Sequence, residues 1–332
     1  MTTSELAVEA HGLVKRFWPS KSSPVTAVDG VDLAVRPGEV FGVLGPNSAG
    51  KTTMLSMLAT LLPIDGGQAS IFGVDVASAP HQIRQLVGVT GQYASVDENL
   101  TATENLVLFG RLLGLSTSRA RTMAGDLLER FGLQEAATRQ IKNFSGGMRR
   151  RLDLAASLIS QPPLIFLDEP TTGLDPRTRG QMWDTIRELV AGGSTILLTT
   201  QYLDEADQLA DRIAVIDRGR KVAEGTPEEL KTSVGDSSLH VRLTDREQTS
   251  QAARIVEQLL GEPPVLTPEA GGLNIALPDA DRAADVLIAL RQASLSIATA
   301  AVRQPTLDEV FMALTGHGTG DAKSDRADEE VA

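Results

Sequence analysis

Residues 45–53, Gly-Pro-Asn-Ser-Ala-Gly-Lys-Thr-Thr, constrain the fold of this chain more than any other stretch. They match the pattern G-x-x-x-x-G-K-[ST], follow an apolar run that begins after Glu39, and precede a segment with helical spacing. Glycine allows backbone conformations that other residues resist, so successive N–H groups can point at phosphate oxygens while the helix presents its positive end. A glycine turn can match by chance, but the flanking strand and helix favour a phosphate-binding loop.

The loop and a second segment supply four side chains with distinct expected roles. Lys51 is expected to bridge the β- and γ-phosphates of a nucleotide, and the Thr52 hydroxyl to ligate Mg²⁺. In Leu-Ile-Phe-Leu-Asp-Glu-Pro, four apolar residues carry a strand to Asp168 and Glu169. Asp168 is expected to hold Mg²⁺, directly or through water, and Glu169 to orient and polarise the attacking water. An adjacent Asp-Glu pair without this context is more often a solvated surface pair.

Composition narrows the classes of partner. The formal net charge of −12 argues against a nucleic-acid partner, because such binding relies on basic patches. The chain has no cysteine, which excludes disulfides and thiolate metal sites and fits a reducing compartment. Its first residues lack the basic and apolar regions of a signal peptide, and no run approaches about 18 apolar residues. Any membrane role is therefore expected to come through a partner.

The pattern of apolar residues predicts an α/β core domain, an inserted helical subdomain and a second, smaller domain. Alternation near residues 6–17 and 25–35 predicts two antiparallel strands, and buried strands then alternate with helices, which favours a mostly parallel core. A helical block interrupts this core. The predicted division is a core domain at 5–230 with a helical subdomain at about 93–160, a β-α-β-β-α-β domain of split-βαβ type at 237–317, and a disordered acidic tail at 318–332.

Further motifs resemble those of the ATP-binding cassette (ABC) family. Residues 144–151, Phe-Ser-Gly-Gly-Met-Arg-Arg-Arg, lie upstream of the Asp-Glu pair and resemble the family's signature motif. Gln92 is similar to the Q-loop glutamine, and residues 171–175, Thr-Thr-Gly-Leu-Asp, are similar to the D-loop. Phe17, with Trp18 beside it, falls where the family stacks an aromatic ring on adenine. The resemblance covers roughly residues 5–230 and implies a P-loop ABC ATPase core with a mixed sheet.

The resemblance also assigns site residues, with ATP and Mg²⁺ as the expected cofactors. The catalytic residues implied are Lys51, Gln92, Glu169 and Gln201, and the Mg²⁺ ligands are Thr52, Gln92 and Asp168. The nucleotide contacts implied are Phe17, Gly45, Pro46, Asn47, Ser48, Ala49, Gly50, Lys51, Thr52, Thr53, Ser145, Gly146, Gly147 and Asp175. The residues from Ser145 begin a helix, and its N-terminus can complete an anion site only where another surface brings a phosphate to it.

A narrower resemblance extends nearly to Gly318. The stretches Val-Thr-Gly-Gln-Tyr-Ala-Ser-Val-Asp-Glu and Leu-Asp-Glu-Val-Phe-Met-Ala-Leu-Thr-Gly are similar to those of ATP-binding subunits of daunorubicin/doxorubicin-type exporters. This resemblance implies an ATPase that exports drugs or other amphiphilic, lipid-like compounds through a permease in a separate chain. It also implies a homodimer that holds two ATP molecules, at the cytoplasmic face of a bacterial cell membrane.

Three residues depart from the broad family and keep an alternative open. Ser48 stands where glycine is usual, and a positive φ there would cost serine on the order of 1 kcal/mol. Met148 replaces a signature glutamine, and Gln201 stands where most of the family has the switch histidine. The alternative is a soluble or regulatory ABC-type ATPase with little hydrolysis, and retention of Glu169 argues against it. Arginines 149–151 could form a coupling surface, but they point in different directions on a helix, which favours solvated or locally paired side chains.

Overall fold

The computed structural model describes residues 5–18, 24–90, 96–233, 237–266, 271–277, 279 and 281–316. The chain divides into two compact units, the first ending at Pro227 and the second beginning at Glu228.

The first unit combines two sheets with helices. Its strands are β1 (Val8–Phe17), β2 (Val25–Val35), β3 (Val40–Leu44), β4 (Gly66–Ile71), β5 (Val74–Asp75), β6 (Val87–Thr90), β7 (Leu164–Asp168), β8 (Thr195–Thr200), β9 (Arg212–Asp217) and β10 (Arg220–Gly225). Its helices are α1 (Lys51–Leu58), α2 (Pro80–Leu86), α3 (Ala102–Leu112), α4 (Thr117–Arg130), α5 (Gly146–Ser157), α6 (Pro176–Ala191) and α7 (Leu203–Leu209). Helix α8 (Pro227–Thr232) follows at the division between the units.

The central sheet aligns the ends of its strands at one edge. Its order is β10-β9-β3-β8-β7-β6, parallel except for the antiparallel β10, so the expected mixed sheet is confirmed. Strands β3, β7 and β8 are buried along their whole length, as expected for strands in the interior of a parallel sheet. In register, Leu44 lies opposite Thr200, and Asp168 opposite Thr199. The segments that follow these three strands therefore meet at the same sheet edge.

A second, antiparallel sheet has the order β2-β1-β4-β5. The two long strands pair as their alternation predicts, with Ala10 opposite Leu33 and Phe17 opposite Val25. Their buried residues pack in one cluster with α1 and with residues of β3, so this sheet and the central sheet share a core. The start of β2 is thereby held close to the loop between β3 and α1.

The predicted helical block is present as α3, α4 and α5. Two side-chain caps set its helix starts: Thr101 accepts from Glu104 N in a capping box before α3, and Ser116 accepts from Arg119 N before α4. The buried apolar faces of these helices share a core with α6 and with β7 and β8. The signature motif at the start of α5 is therefore connected by packing to the central sheet.

The second unit is a four-stranded antiparallel sheet with helices. Its elements are β11 (Ser237–Leu243), α9 (Thr249–Leu260), β12 (Val265–Leu266), β13 (Gly272–Leu277), α10 (Arg282–Gln292), β14 (Ile297–Arg303) and α11 (Leu307–Thr315). The sheet order β12-β13-β11-β14 and the β-α-β-β-α-β succession fit the split-βαβ class expected from the sequence. Apolar residues of α9 and α10 pack on alternate residues of β11 and β13. The predicted tail at 318–332 lies outside the described residues.

None of the helices in the described part of the chain has the length and apolar character needed to cross a bilayer.

Candidate nucleotide site

The loop between β3 and α1 requires glycine at two positions for steric reasons. A Cβ atom at Gly45 would lie 2.3 Å from the Ile216 carbonyl oxygen. At Gly50, φ is +104° and a Cβ atom would lie 2.2 Å from the Ala27 carbonyl oxygen. Gly50 caps α1 without a side-chain hydrogen bond, so the first N–H groups of this helix are available to an anion. This is the geometry that the loop pattern predicts.

Lys51 is a buried cation inside this loop, with 4% of its surface exposed. Its Nζ donates to the carbonyl oxygens of Gly45 at 2.8 Å and Pro46 at 2.9 Å. The Glu169 Oε1 atom lies 3.5 Å from the same nitrogen. Burial lowers the pKa of Lys51, and the carboxylates of Glu169 and Asp168 oppose that shift. The ammonium group is thus held at the loop by the loop's own carbonyls.

Oxygen atoms suited to a hard cation meet beside the loop. The Thr52 hydroxyl donates to Asp168 Oδ1 at 3.1 Å, and the Thr199 hydroxyl donates to the same oxygen at 2.5 Å. Hydroxyl and carboxylate oxygens are the ligands that Mg²⁺ takes from proteins. The predicted ligands Thr52 and Asp168 are therefore adjacent and fit Mg²⁺, whereas the third predicted ligand, Gln92, lies outside the described residues.

Glu169 is held in an unusual backbone conformation. Its φ is +48°, in the left-handed region, which costs a residue with a side chain about 1 kcal/mol. Its N–H donates to the Thr199 carbonyl oxygen at 3.0 Å, and its Oε2 accepts from the Thr172 hydroxyl at 3.1 Å. The carboxylate is buried, with one oxygen toward Lys51 and the other toward Thr172. These contacts fix its position next to the phosphate loop.

The turn that follows β7 is tied to the signature helix by Arg150. This side chain donates to the carbonyl oxygens of Asp168 at 2.7 Å, Glu169 at 3.1 Å and Pro170 at 3.0 Å. Burial lowers the pKa of Arg150, and neighbouring carboxylates, Asp153 first among them, oppose the shift. The guanidinium group thereby connects α5 to the backbone of both site carboxylates.

The other two arginines of this run have separate partners. Arg149 forms an ion pair with Glu98 at 2.6 Å, and Arg151 donates to the Phe131 carbonyl oxygen at 3.0 Å. The expectation that the three arginines are paired locally and in different directions is confirmed.

Gln201 follows β8 directly and is half-buried. Lys51 and Thr52 line a first cavity at the phosphate loop, and Gln201 lines a second cavity. Asn47, Ser48 and Glu169 line both cavities. Gly146 of the signature motif also lines the second cavity. The predicted switch residue therefore lines the same cavity as residues of the loop and Glu169.

The signature motif presents an accessible helix N-terminus. The Ser145 hydroxyl accepts from Met148 N at 3.2 Å and caps α5, and both Ser145 and Gly146 are exposed. At Gly147 a Cβ atom would lie 2.3 Å from Thr178 Cγ2 of α6. Asp175 caps α6 by accepting from the N–H and hydroxyl of Thr178 at 3.1 and 2.6 Å, and these hydrogen bonds lower the pKa of Asp175. The first turns of α5 and α6 are thus packed together.

Phe17 ends β1 and lies opposite Val25, which lines the first cavity together with Thr26 and Ala27. The ring is 39% exposed, and Lys15 Nζ lies 5.6 Å from its centroid. The aromatic residue predicted to stack on the base therefore adjoins the strand that forms one wall of the cavity, while Phe17 itself does not line it.

Sequence reasoning missed three residues of the site: Thr199, Arg218, and Arg150 as a hydrogen-bond donor to backbone carbonyl oxygens. Thr199 depends on the register of β7 and β8, which motif spacing does not reveal. Arg218 lies in the turn between β9 and β10 and lines the first cavity. The one signal for Arg218 was the Asp-Arg-Gly-Arg turn directly after a buried strand.

Comparisons with known proteins agree with this geometry. The family profile described as ABC transporter matches residues 28–172, and one described as ATP-binding protein DrrA1-3-like, C-terminal domain, matches residues 225–315. The daunorubicin/doxorubicin resistance ATP-binding protein DrrA of Streptomyces peucetius is 52% identical over 324 residues, covering 98% of this chain and 97% of the relative. The doxorubicin resistance ATP-binding protein DrrA of Mycobacterium tuberculosis is 45% identical over 318 residues, covering 95% of each.

A solved structure, the ATP-binding cassette MJ0796 as a dimer in a post-hydrolysis state bound to ADP and Pi, is also similar. It has a TM-score of 0.61 and 25% identity, covering 66% of this chain and 98% of that chain.

Ser48 generates the first prediction, because its φ of +66° fulfils the condition under which serine is strained. Ser48→Gly should raise thermal stability or tighten ATP binding, by at most about 1 kcal/mol. Ala49→Gly is the matched control: Ala49 is buried and is not among the residues with positive φ, so glycine there should destabilise. Melting temperature and ATP affinity are measured for both, and a loss of stability in Ser48→Gly would contradict the strain.

Gln201 generates the second prediction, because an amide donates a hydrogen bond but does not titrate. If Gln201 donates to the γ-phosphate as expected, Gln201→Ala should lower kcat substantially and leave ATP affinity nearly intact, because only that hydrogen bond would be lost. Gln201→His should retain activity and acquire a pH-dependent limb near the histidine pKa of about 6.5. The measurement is kcat against pH from about 6 to 8 for three proteins. Equal rates for Gln201→Ala and wild type would exclude a γ-phosphate role.

Proposed function

The chain belongs to the ABC transporter family, among its DrrA-type ATP-binding proteins, and we propose that it powers export through a permease in a separate chain. One observation carries the catalytic part of this proposal. Buried Lys51, the Thr52–Asp168 pair and the Glu169 carboxylate meet at the edge where β3, β7 and β8 end. That arrangement has the groups that hydrolysis of a nucleoside triphosphate requires.

In the proposed mechanism, the chain's residues position the nucleotide and a water molecule. The amides of the loop and the Lys51 ammonium group neutralise the β- and γ-phosphates. Thr52 and Asp168 would hold Mg²⁺, which would neutralise phosphate charge, and Gln92 is proposed as a further ligand by resemblance. Glu169 orients the attacking water and accepts its proton, while the Gln201 amide donates to a γ-phosphate oxygen. Few side chains suffice because the reaction depends on positioning and electrostatics.

Two copies of the chain are proposed to share each nucleotide. The N-terminus of α5, with Ser145 and Gly146 exposed, supports this proposal, because an open helix N-terminus binds an anion that another surface supplies. In the homodimer, residues Ser145 to Gly147 of one copy contact the ATP bound at the phosphate loop of the other. The dimeric state of the solved cassette supports the same assembly.

The proposed cargo is a drug or another amphiphilic, lipid-like compound. The resistance to daunorubicin and doxorubicin in the names of the relatives supports this class, which corresponds to a xenobiotic-transporting ATPase. The relatives come from bacteria, and we propose a peripheral location at the cytoplasmic face of the cell membrane, on the permease. The chemistry is assigned to the 5–230 domain, with residues 237–317 as an accessory domain.

The alternative is a regulatory ABC-type ATPase that hydrolyses little ATP. The positive φ of Ser48 favours it, because strain in the phosphate loop opposes binding. The contacts that fix the Glu169 carboxylate argue for hydrolysis.

Export is tested with inverted membrane vesicles that contain the chain and its permease. ATP should drive uptake of daunorubicin, and Lys51→Ala should abolish both uptake and ATP binding, because the cation that meets the phosphates is gone. Lys231→Ala is the matched control, because Lys231 lies in α8 and lines neither cavity. This variant should bind ATP and take up daunorubicin as wild type does. Wild-type ATP binding and uptake by Lys51→Ala would contradict the proposal.

The shared nucleotide is tested with Glu169→Gln, which keeps the shape of the side chain but not the carboxylate base. This variant should bind ATP, fail to release phosphate and elute as a dimer in size-exclusion chromatography with ATP. The double variant Glu169→Gln with Lys51→Ala should remain monomeric, because it cannot bind the nucleotide that joins the copies. A Glu169→Gln protein that binds ATP and stays monomeric at high concentration would rule out the shared site.

A further inference from the structure

The turn between β9 and β10 forms a wall of the nucleotide cavity. Asp217 pairs with Arg220 across the hairpin, so Arg218 and Gly219 are its two loop residues. Their φ angles are +48° and +79°, both positive as a type I′ turn requires. Such turns favour Asn, Asp or Gly at the first loop position. An arginine at residue 218 is therefore not explained by the conformation of the turn.

Hydrogen bonds fix this turn against the rest of the site. The Gly219 N–H donates to the Ala49 carbonyl oxygen at 2.9 Å, and the Gly219 carbonyl oxygen accepts from Asp29 N at 2.8 Å. A Cβ atom at Gly219 would lie 2.9 Å from the Ala27 carbonyl oxygen. The turn is thus clamped between the phosphate loop and β2. The phosphate loop and β2 therefore fix the position of the Arg218 backbone beside the cavity.

Among the described residues, Arg218 is the accessible cation of this cavity. Three charged residues of the described part of the chain line it: Lys51, Glu169 and Arg218. Lys51 is buried, and its ammonium group contacts two loop carbonyls and Glu169. The Arg218 side chain is 76% exposed, and its ion pair within the described part of the chain joins its Nε to Asp217 Oδ2 at 3.9 Å. Its guanidinium group is free to donate to a ligand.

The position of Arg218 along the cavity identifies the part of the ligand it faces. One end of the cavity is the phosphate loop at the start of α1, and the other is the start of β2, where Val25 lies opposite Phe17. A nucleotide with its β- and γ-phosphates at the loop and its base near Phe17 has its α-phosphate between these ends. Gly219 donates to the Ala49 carbonyl oxygen of the loop and packs against Ala27 of β2, and both of these residues line the cavity. Arg218, the residue before Gly219, therefore lies beside this intermediate stretch.

We propose that Arg218 binds the α-phosphate of the nucleotide and raises the affinity of the site for ATP and ADP alike. This inference rests on the proposed function, because it assumes that the cavity holds an adenine nucleotide. A guanidinium group suits the role, since its planar fork donates to two phosphate oxygens and it stays charged at physiological pH. The α-phosphate is present before and after hydrolysis, so the contact acts on substrate and product equally.

The test compares Arg218→Asn, Arg218→Lys and Arg220→Ala by calorimetric titration with ATP·Mg²⁺ and with ADP·Mg²⁺. Arg218→Asn removes the cation but introduces a residue that the turn favours, so its melting temperature without nucleotide should equal or exceed that of wild type. Its affinities for ATP and ADP should both fall, by the same factor of about three to ten. Arg218→Lys should recover most of the loss, because it keeps the charge.

Arg220→Ala is the matched control from the same turn. Arg220 is similarly exposed, at 72%, but its guanidinium group pairs with Asp29 at 2.6 Å and does not line the cavity. Its removal should leave both affinities unchanged.

Several results would overturn the inference. The inference fails if Arg218→Asn binds both nucleotides as tightly as wild type does. It fails also if this variant loses affinity for ATP but not for ADP, which would indicate a γ-phosphate contact. No recovery in Arg218→Lys would exclude a charge contact. A wild-type protein that binds neither nucleotide would instead refute the proposed function, and the inference with it.

Raising the salt concentration should reduce the difference in nucleotide affinity between Arg218→Asn and wild type, since salt screens an exposed charge pair.

Discussion

The two hydroxyl hydrogen bonds accepted by Asp168 hold the site together. One comes from Thr52 at the start of α1 and the other from Thr199 near the end of β8, so a single carboxylate joins segments that are more than a hundred residues apart in the chain. The register of β7 and β8 makes this junction possible, because it sets Asp168 opposite Thr199. A shift of one residue would turn the carboxylate to the other face of the sheet. The position of Glu169, one residue later, depends on the same register.

The site combines a rigid half with an open half. Lys51, Asp168 and Glu169 are buried and hydrogen-bonded, whereas the N-terminus of α5 is exposed. This asymmetry fits an enzyme in which one surface is preorganised for phosphates and another is completed on assembly. Arg150 belongs to both halves, since it extends from α5 to the carbonyl oxygens that follow β7. Hydrogen bonds therefore link the signature helix to the backbone of Asp168 and Glu169 within one chain.

Much of this arrangement could be predicted from the sequence, and the contacts that could not be predicted were missed for physical reasons. The loop, the Asp-Glu pair and the mixed sheet follow from local patterns, because glycine requirements and apolar runs are visible in a single stretch. The contacts of Thr199 and Arg150 depend on register and on packing between distant segments, which local patterns do not encode. Arg218 was missed for a third reason. A polar turn is usually solvent-facing, and only the two hydrogen bonds of Gly219 turn it into a wall of the cavity.

The close approach of Gly147 to Thr178 has a consequence for how such chains can diverge. A methyl group at residue 147 would lie 2.3 Å from Thr178 Cγ2, and the Thr178 hydroxyl and N–H are also bonded to Asp175. A larger residue at 147 therefore requires a smaller one at 178. Serine at 178 would remove Cγ2 and keep both the hydroxyl and the N–H that bond to Asp175, whereas alanine would keep only the N–H. Among homologous sequences, residues 147 and 178 should therefore vary together, and serine is the substitution at 178 that preserves the cap of α6.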